Sequence, residues 1–322
     1  MSYAAAQQKR GFEVESTYGT PATPARWAGI VVDSPDNSER TWQQSRAAGA
    51  LEADINIGVE YSFKGSIDTM PQDGQWFRTM FNSRAVSSPA AGGSSVTTFD
   101  WNDGSGSQPS FTWEIANIGS PAVVRRYAGA KHTKLSLTND NRNVLHFNMD
   151  WIAQSVIASG ATTGTYAPST SQPYLYNNGA ITIGNPTGSV LATVSNVTVN
   201  INTGLEEQYF IKSGASPLVT QLDETSRIYD GEVQVAFENI DMYRRFLGNV
   251  GAGSAQQTGS EFNLEFIWAK SATDKIAVVV SGCVFKGAPI EGGAEGVLKQ
   301  TLQWQGRDLN VLITTASGTT PV

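Results

Sequence analysis

The chain has 322 residues, which is enough for one large or two modest domains with a sizeable core. Charged residues make up only 16% of the chain and hydrophobic residues 40%, and the abundance of Gly, Ser, Thr and Asn favours β-structure with many turns. The net charge is −7 and Lys and Arg are not clustered, which argues against a protein that grips nucleic acid.

Signals for secretion or membrane insertion are not evident in the sequence. Cys283 is the single cysteine, so a disulfide framework within the chain is excluded. The first ten residues lack the apolar segment of a signal peptide, and no apolar run reaches the length of a membrane-spanning helix. We therefore expect a soluble protein that folds in a cytoplasm.

In chain order, the sequence begins with a turn-rich N-terminal arm, residues 1–26, and continues with a first β unit, residues 27–157. Within this unit, residues 54–68 alternate apolar and polar side chains, which predicts a strand with one buried face. A short helix is predicted after Asp73, which can serve as its N-cap. Its apolar stripe consists of Trp76, Phe77, Met80 and Phe81.

The second half of the chain has the same organisation. Residues 158–178 are polar and rich in turn residues, which predicts a linker, and residues 179–322 form a second β unit. Further alternating strands are predicted there, with a second short helix after Asn239. The apolar stripe of that helix consists of Ile240, Tyr243, Phe246 and Leu247.

The two units align with each other as an internal repeat. A shift that places Gly65 on Gly231 also superimposes the two helix stripes, and a shift that places Trp151 on Trp304 superimposes the later strands. The difference in length between the two shifts falls in a Gly/Ser-rich loop, as expected for a duplicated unit. The sequence therefore predicts two similar β-sandwich or partial-barrel units, each with one short packed helix.

Residues suited to catalysis or metal binding are scarce. His132 and His146 are the only histidines, and together with Cys283 they are too few for a convincing metal site. Residues 100–106 resemble a calcium loop but lack its closing glutamate, so a turn is the better interpretation. Carboxylates are scattered along the strands without a pair that stands out. We expect a non-enzymatic protein without a cofactor or metal.

The segment from Gly11 to Ala22, with Glu15-Ser16-Thr17-Tyr18-Gly19-Thr20-Pro21 at its centre, resembles the opening of the major tail tube proteins of long-tailed, non-contractile bacteriophages. A strand, a polar loop, a long alternating strand and a short aromatic helix then follow, as in that family. The resemblance implies a structural virion protein that polymerises into stacked rings. Sheets from each unit would join into a closed inner barrel, the conduit for DNA ejection.

The duplicated units resemble the variant of this family that forms a homotrimeric, pseudo-hexameric ring, with a homohexamer as the alternative. The implied partners are other copies of the chain, the tape measure protein and passing viral DNA in the lumen, and the tail terminator and distal tail proteins. Assembly is expected in the bacterial host cytoplasm. An acidic lumen would repel DNA phosphates. Its candidate residues are Glu52, Asp54, Glu60, Asp68, Glu232 and Glu238, and candidate contacts between rings are Arg40 and Arg46.

Other functions remain open at this stage. Another ring or tube component, such as a head–tail joining protein or a type VI secretion tube protein, would share many of these features. A β-sandwich adhesin or carbohydrate-binding module is the alternative from a different class, and it should present exposed aromatic platforms. A glycan-acting enzyme should bring a pair of carboxylates together in a cleft.

Overall fold

The computed structural model describes most of the chain. The described residues are 8–45, 55–87, 94–101, 106–118, 122–162, 164–184, 188–190, 194–209, 218–237, 240–248, 254–255, 261–292 and 298–316.

Within these residues the protein is mainly β-structure, as the sequence predicts. The strands are β1 Gln8–Val14, β2 Arg26–Trp27, β3 Val31–Asp33, β4 Glu39–Ser45, β5 Ile55–Thr69, β6 Ser83–Ser87, β7 Ser95–Asp100, β8 Phe111–Asn117, β9 Val123–Asp140, β10 His146–Ala153, β11 Ser155–Ser159, β12 Gly179–Gly184, β13 Gly188–Val190, β14 Val194–Asn202, β15 Leu205–Gln208, β16 Gln221–Glu224, β17 Ile228–Ala236, β18 Phe262–Ser271, β19 Asp274–Gly287, β20 Ile290–Glu291, β21 Lys299–Gly306 and β22 Asp308–Thr315. The helices are 3₁₀ helices at Gln75–Thr79 and Tyr176–Asn178 and one α-helix, α1, at Asp241–Leu247.

A continuous antiparallel sheet, which we call the central sheet, runs through both units. Its strand order is β3, β5, β10, β9, β14, β17, β21 and β20. The two units meet in this sheet through the pairing of β9 with β14. Over the part of the chain that the structure describes, this sheet is open, with β3 at one edge and β20, together with the end of β19, at the other.

Two flanking sheets pack on the central sheet, and the long strands β9 and β19 pass from a flanking sheet into the central one. The first flanking sheet has the order β2, β1, β8, β9 and β11. The second has the order β13, β12, β18, β19, β22, β7 and β6. Within the predicted N-terminal arm, Gln8–Val14 thus forms a strand that pairs with β8 along its whole length.

The core lies between the central and flanking sheets and is filled by the apolar residues of the alternating strands. On β10, Phe147, Met149 and Trp151 are buried, while Asn148 between the first two is exposed. The ring of Trp151 lies 4.8 Å from that of Tyr127 on β9, measured between centroids. Burial of each such large side chain contributes about 2–3 kcal/mol to folding.

The pairings of the first unit recur in the second. In the first unit, β9 bulges between His132 and Lys134, opposite Trp151 and Asp150 of β10. In the second unit, β19 bulges between Phe285 and Gly287, opposite Trp304 and Gln303 of β21. The shift from Trp151 to Trp304 also relates Gly129 to Gly282, whose φ angles are 65° and 64°. These positive angles favour glycine at both positions. The repeat seen in the sequence thus extends to register, bulges and backbone conformation.

The two predicted helices differ in burial. The first is the 3₁₀ helix, and Asp73 accepts a hydrogen bond from the Gln75 N–H at 3.1 Å although the residue in the cap position is Gly74. The second is α1, which packs on the core through the partly buried Met242 and Tyr243. The cap predicted for it, Asn239, lies outside the described residues.

Candidate functional site: the polar face and edges of the central sheet

One face of the central sheet is covered with polar and charged side chains. It is the face opposite the core, because residues alternate between the two faces along each strand. The register of the strands places these side chains in rows across both units. We call this surface the polar face, and its residues are Ser66, Asp68, Lys134, Ser136, Thr138, His146, Asn148, Asp150, Thr198, Asn200, Asp230, Glu232, Gln303 and Gln305.

Hydrogen bonds between neighbouring strands order the polar face. Ser136 donates to the Asn200 Oδ1 at 2.7 Å, and the Asn200 Nδ2 donates to Asp230 at 3.0 Å, so this row links β9, β14 and β17. At the other side of the sheet, the His146 Nδ1 lies 2.9 Å from an oxygen of Asp68. These contacts fix carboxylates at defined positions on the sheet rather than leaving them on mobile loops.

The polar face carries more carboxylates than ammonium groups. Asp68, Asp150, Asp230 and Glu232 contribute negative charge, and Lys134 stands opposite Asp150 in the β9–β10 pairing. Partial burial raises the pKa of Asp150, although the nearby Lys134 opposes that shift. Two further ammonium groups lie on this face, because Lys286 adjoins Asp230 and Glu232 and Lys64 alternates with Ser66 and Asp68 along β5.

The lumen residues predicted from the sequence divide into three groups. Asp68 and Glu232 lie on the polar face. Glu60 lies on the β4–β5 hairpin, beyond the last pair of β5 with β10, where the hydroxyl of Tyr209 donates to the Tyr61 carbonyl at 3.2 Å. Residues Glu52, Asp54 and Glu238, and the predicted contact residue Arg46, lie outside the described residues.

Arg40, the other predicted contact residue, is exposed on strand β4. Its guanidinium lies 3.7 Å from the ring centroid of Trp42 and 4.6 Å from that of Tyr61. Stacking on these rings holds the cation in place by cation–π attraction while leaving it open to solvent. Trp42 is itself 51% exposed, so this hairpin presents a cation and an aromatic surface together.

The edge formed by β3 is anchored to the first flanking sheet by an ionic cluster. Asp36, which forms an isolated bridge with Gly65 of β5, pairs with Arg125 and accepts a hydrogen bond from the Tyr127 hydroxyl. Burial alone would raise the pKa of Asp36, but hydrogen bonds from Ser38 and Tyr127, together with Arg125, outweigh it and lower the pKa. These contacts hold the edge against the first flanking sheet.

Asp150, Asp230 and Asp36 lie on or beside this surface and are outside the set of residues that the sequence predicts for it. Asp150 and Asp230 share the polar face with the predicted Asp68 and Glu232, and the alternation His146-Phe147-Asn148-Met149-Asp150 was the signal that could have identified Asp150. The interaction of Asp36 with Arg125 joins residues far apart in sequence, and no local pattern indicates it.

Two of the groups considered for catalysis or metal binding, Cys283 and His132, lie apart from this surface, whereas His146 lies on it beside Asp68. Cys283 is buried, and burial raises the pKa of its thiol to about 12. His132 is also buried, and burial lowers its pKa to about 4. Among the described residues, no group of three or more His, Cys, Asp and Glu side chains is arranged to hold a metal ion.

These observations define a class of protein: a structural β-protein built from two similar units around one sheet that is open at both edges. The chain matches the family model described as phage tail tube protein over residues 6–306, and it belongs to that family. The resemblance noted in the sequence is thus confirmed. No significant match is found among curated proteins.

Membership of this family gives the chain a structural role in the tail tube of a bacteriophage, and so a place in the virion. Proteins of the family are typically non-enzymatic. In the part of the chain that the structure describes, no helix is both long and apolar enough to cross a membrane.

Proposed function

We propose that the protein polymerises into stacked rings that form the tube of a phage tail, through which DNA is ejected into the host. The observation that carries this proposal is the central sheet, which crosses both units without interruption and, among the described residues, still ends in two unpaired edges. Exposed edges of a long sheet invite pairing with further chains, and closure into a ring removes them. Another copy of the same chain supplies both complementary edges.

Two similar units in one chain favour a ring of three chains, which has six units and pseudo-sixfold symmetry. With strands about 4.8 Å apart and tilted by about 40°, three copies of the central sheet close into a barrel about 48 Å across between backbones. Side chains would narrow this opening to about 38 Å. A ring of six chains would double the circumference, which makes the trimer the better fit to a narrow conduit.

The polar face is the surface that we assign to the lumen. Its carboxylates Asp68, Asp150, Asp230 and Glu232 would repel DNA phosphates, so that passing DNA meets no strong binding site. The opposite face is buried against the flanking sheets and is therefore occupied. Glu60 and the residues Glu52, Asp54 and Glu238 remain candidates for additional acidic groups at the lumen.

Contacts between successive rings are assigned to the β4–β5 hairpin with Arg40, and Arg46 remains a candidate in the same region. Within the tail, the proposed partners are the tape measure protein and DNA inside the tube, and the terminator and distal tail proteins at its ends. Assembly would take place in the bacterial host cytoplasm.

Electron microscopy of the purified protein tests this proposal. Concentrated protein should form rings or tubes with a central channel, and dilution should return them to single chains. A protein that stays monomeric at every concentration, with no tube even in the presence of a tail initiation complex, would contradict the proposal.

A further inference from the structure

We infer that residues 287–292 pair antiparallel with residues 34–39 of a second copy of the chain, in the register that joins β9 to β14 within one chain. This inference rests on the proposed ring and names the strands and register that close it. It places Gly287 opposite Glu39 and Ile290 opposite Asp36. The junction between chains is then a copy of the junction between units.

The register follows from two correspondences between the units: one relates β9 to the end of β19, and the other relates β14 to β3 and the residues after it. On one side, the pairs of His132 with Trp151 and Lys134 with Asp150 recur as Phe285 with Trp304 and Gly287 with Gln303. Residues 134–140 of β9 therefore correspond to residues 287–293, of which 287–292 are described.

On the other side, β3 and β14 carry the same bulge against their partners. Val31 and Asp33 pair with consecutive residues of β5, as Val194 and Asn196 do with consecutive residues of β17. The β4–β5 and β15–β16 hairpins correspond in the same way. The four pairs from Trp42 with Gly58 to Ser45 with Ile55 match the four pairs from Leu205 with Glu224 to Gln208 with Gln221. Residues 34–39 therefore correspond to 197–202, the part of β14 that pairs with β9.

The two prolines in these segments are compatible with the proposed register. In the β9–β14 junction, the Thr203 N–H donates to the Thr133 carbonyl and the Asn141 N–H to the Ser195 carbonyl, so alternate residues exchange hydrogen bonds. Transferred to the junction between chains, the bonding positions are 34, 36 and 38 on one strand and 288, 290 and 292 on the other. In the single chain the N–H groups of Ser34 and Ser38 donate to the side chains of Asp33 and Asp36, and pairing would replace these two bonds. Pro35 and Pro289 fall between them, where an N–H is not required.

The carbonyl groups of both prolines face the strands of their own chain, as this register requires. Pro35 accepts from the Ser66 N–H at 3.2 Å, and Pro289 accepts from the Thr301 N–H at 3.1 Å. Prolines at the neighbouring positions would have removed donors from the junction. Their placement thus supports the proposed register over one that is shifted by a single residue.

An exposed apolar side chain at the free edge also favours pairing with a second copy of the chain. Leu137, which lies opposite Val199 in the β9–β14 junction, is fully buried, whereas its counterpart Ile290 at the free edge is 44% exposed. A side chain that is buried in the first unit and exposed in the second marks a surface that the neighbouring chain would cover.

A second contact between the units pairs a small residue with a large one. In the first unit, Gly74 at the start of the 3₁₀ helix lies against Ile313 of β22, and a Cβ there would be 2.5 Å from the isoleucine side chain. The counterpart of Gly74 is Ile240, which is 49% exposed, and the counterpart of Ile313 is Gly160, where an added Cβ would meet only the Ala122 carbonyl oxygen at 3.9 Å. Large and small residues exchange places, so Ile240 fits against Gly160 of the next chain.

Cysteine cross-linking tests the register. Glu39→Cys and Gly287→Cys are combined in a Cys283→Ala background, because Ala130 is the counterpart of Cys283. A pair without mutual hydrogen bonds has Cα atoms about 4.5 Å apart, which suits a disulfide. A Cβ at position 287 meets only the end of the flexible Gln303 side chain, at 2.8 Å. Mild oxidation of assembled protein should link most chains covalently, and neither single variant should do so.

The matched control combines Glu39→Cys with Glu291→Cys, four residues or about 13 Å out of register. Efficient linking of this control, or failure of the first pair to link in rings seen by microscopy, would overturn the register while leaving the ring itself intact. Absence of any ring in the unmodified protein would instead overturn the proposed function.

Hydrogen exchange of the unmodified protein gives an independent test that needs no variant. The amides of Asp36 and Ile290 should exchange in the single chain and become protected in the ring. The amide of Asn37, which already donates to the Lys64 carbonyl at 2.8 Å, should be protected in both states. Equal exchange of Asp36 and Ile290 before and after assembly would refute the junction.

Discussion

The buried His132 gives the fold a pH dependence that one substitution should remove. Its Nε2 lies 2.8 Å from the Thr79 hydroxyl, and its ring stacks on Phe111 with centroids 4.6 Å apart. The counterpart of His132 in the second unit is Phe285, whose ring packs on Phe262 at 4.5 Å. The variant His132→Phe therefore places in the first unit a side chain that the second unit already accommodates.

The size of this pH effect on the free energy of unfolding follows from the pKa of His132. Burial lowers the pKa of His132 to about 4 in the folded protein, against about 6.5 in the unfolded chain. Between these values the unfolded chain binds more protons than the folded one, so the free energy of unfolding falls as the pH drops through this window. From pH 7.5 to pH 4.5 the loss from this group is about 2–3 kcal/mol. Above pH 7 the group contributes no pH dependence.

Denaturant unfolding of dilute, unassembled protein measures this effect. The free energy of unfolding of the unmodified chain should fall by about 2–3 kcal/mol more than that of His132→Phe between pH 7.5 and pH 4.5. At pH 7.5 the two proteins should be similar, because Thr79 keeps its hydrogen bond to the Trp76 carbonyl at 2.7 Å. Parallel pH profiles for the two proteins would show that His132 is not the neutral, buried group described above.

Three further outcomes are expected. Gly231→Ala would place a Cβ 2.0 Å from a carbonyl oxygen of β14, so it should cost about 1–3 kcal/mol and lower the Tm by several degrees. Gly160→Ala, whose Cβ would make only an ordinary contact with the Ala122 carbonyl oxygen at 3.9 Å, should leave the Tm unchanged, and equal melting of both variants would contradict the packing. Combined Asp230→Lys and Glu232→Lys should preserve tubes but slow DNA ejection from assembled particles, and an unchanged ejection rate would remove these residues from the lumen. Arg40→Glu should shorten or abolish tubes while the circular dichroism spectrum of the single chain stays the same, and tails of normal length would exclude Arg40 as a contact between rings.

The sequence predicted those parts of the fold whose signal is local. Alternation along β5 and the apolar stripe after Asp73 identified a strand and a helix, because both patterns reflect one buried face. The aligned tryptophans and glycines revealed the repeat. Gln8–Val14 was placed in an arm, since its pairing with β8 depends on residues about a hundred positions away.

The candidate site was harder to predict for the same reason. Period-two alternation shows that a strand has a polar face, but it does not show which strands lie side by side. Asp150 and Asp230 became part of one surface only when β10 and β17 were placed in the central sheet. The counterpart of β14 at the free edge was hidden because Asp36 bears no likeness to Val199, although both lie opposite equivalent glycines.

The central claim is that three chains close one continuous sheet with the polar face inward. Cryo-electron microscopy of assembled tubes tests it most directly, because it reads the number of chains per ring and the direction of each sheet face at once. We expect three chains per ring and a channel lined by β5, β10, β9, β14, β17 and β21. A ring of six chains, or a channel lined by the flanking sheets, would contradict it.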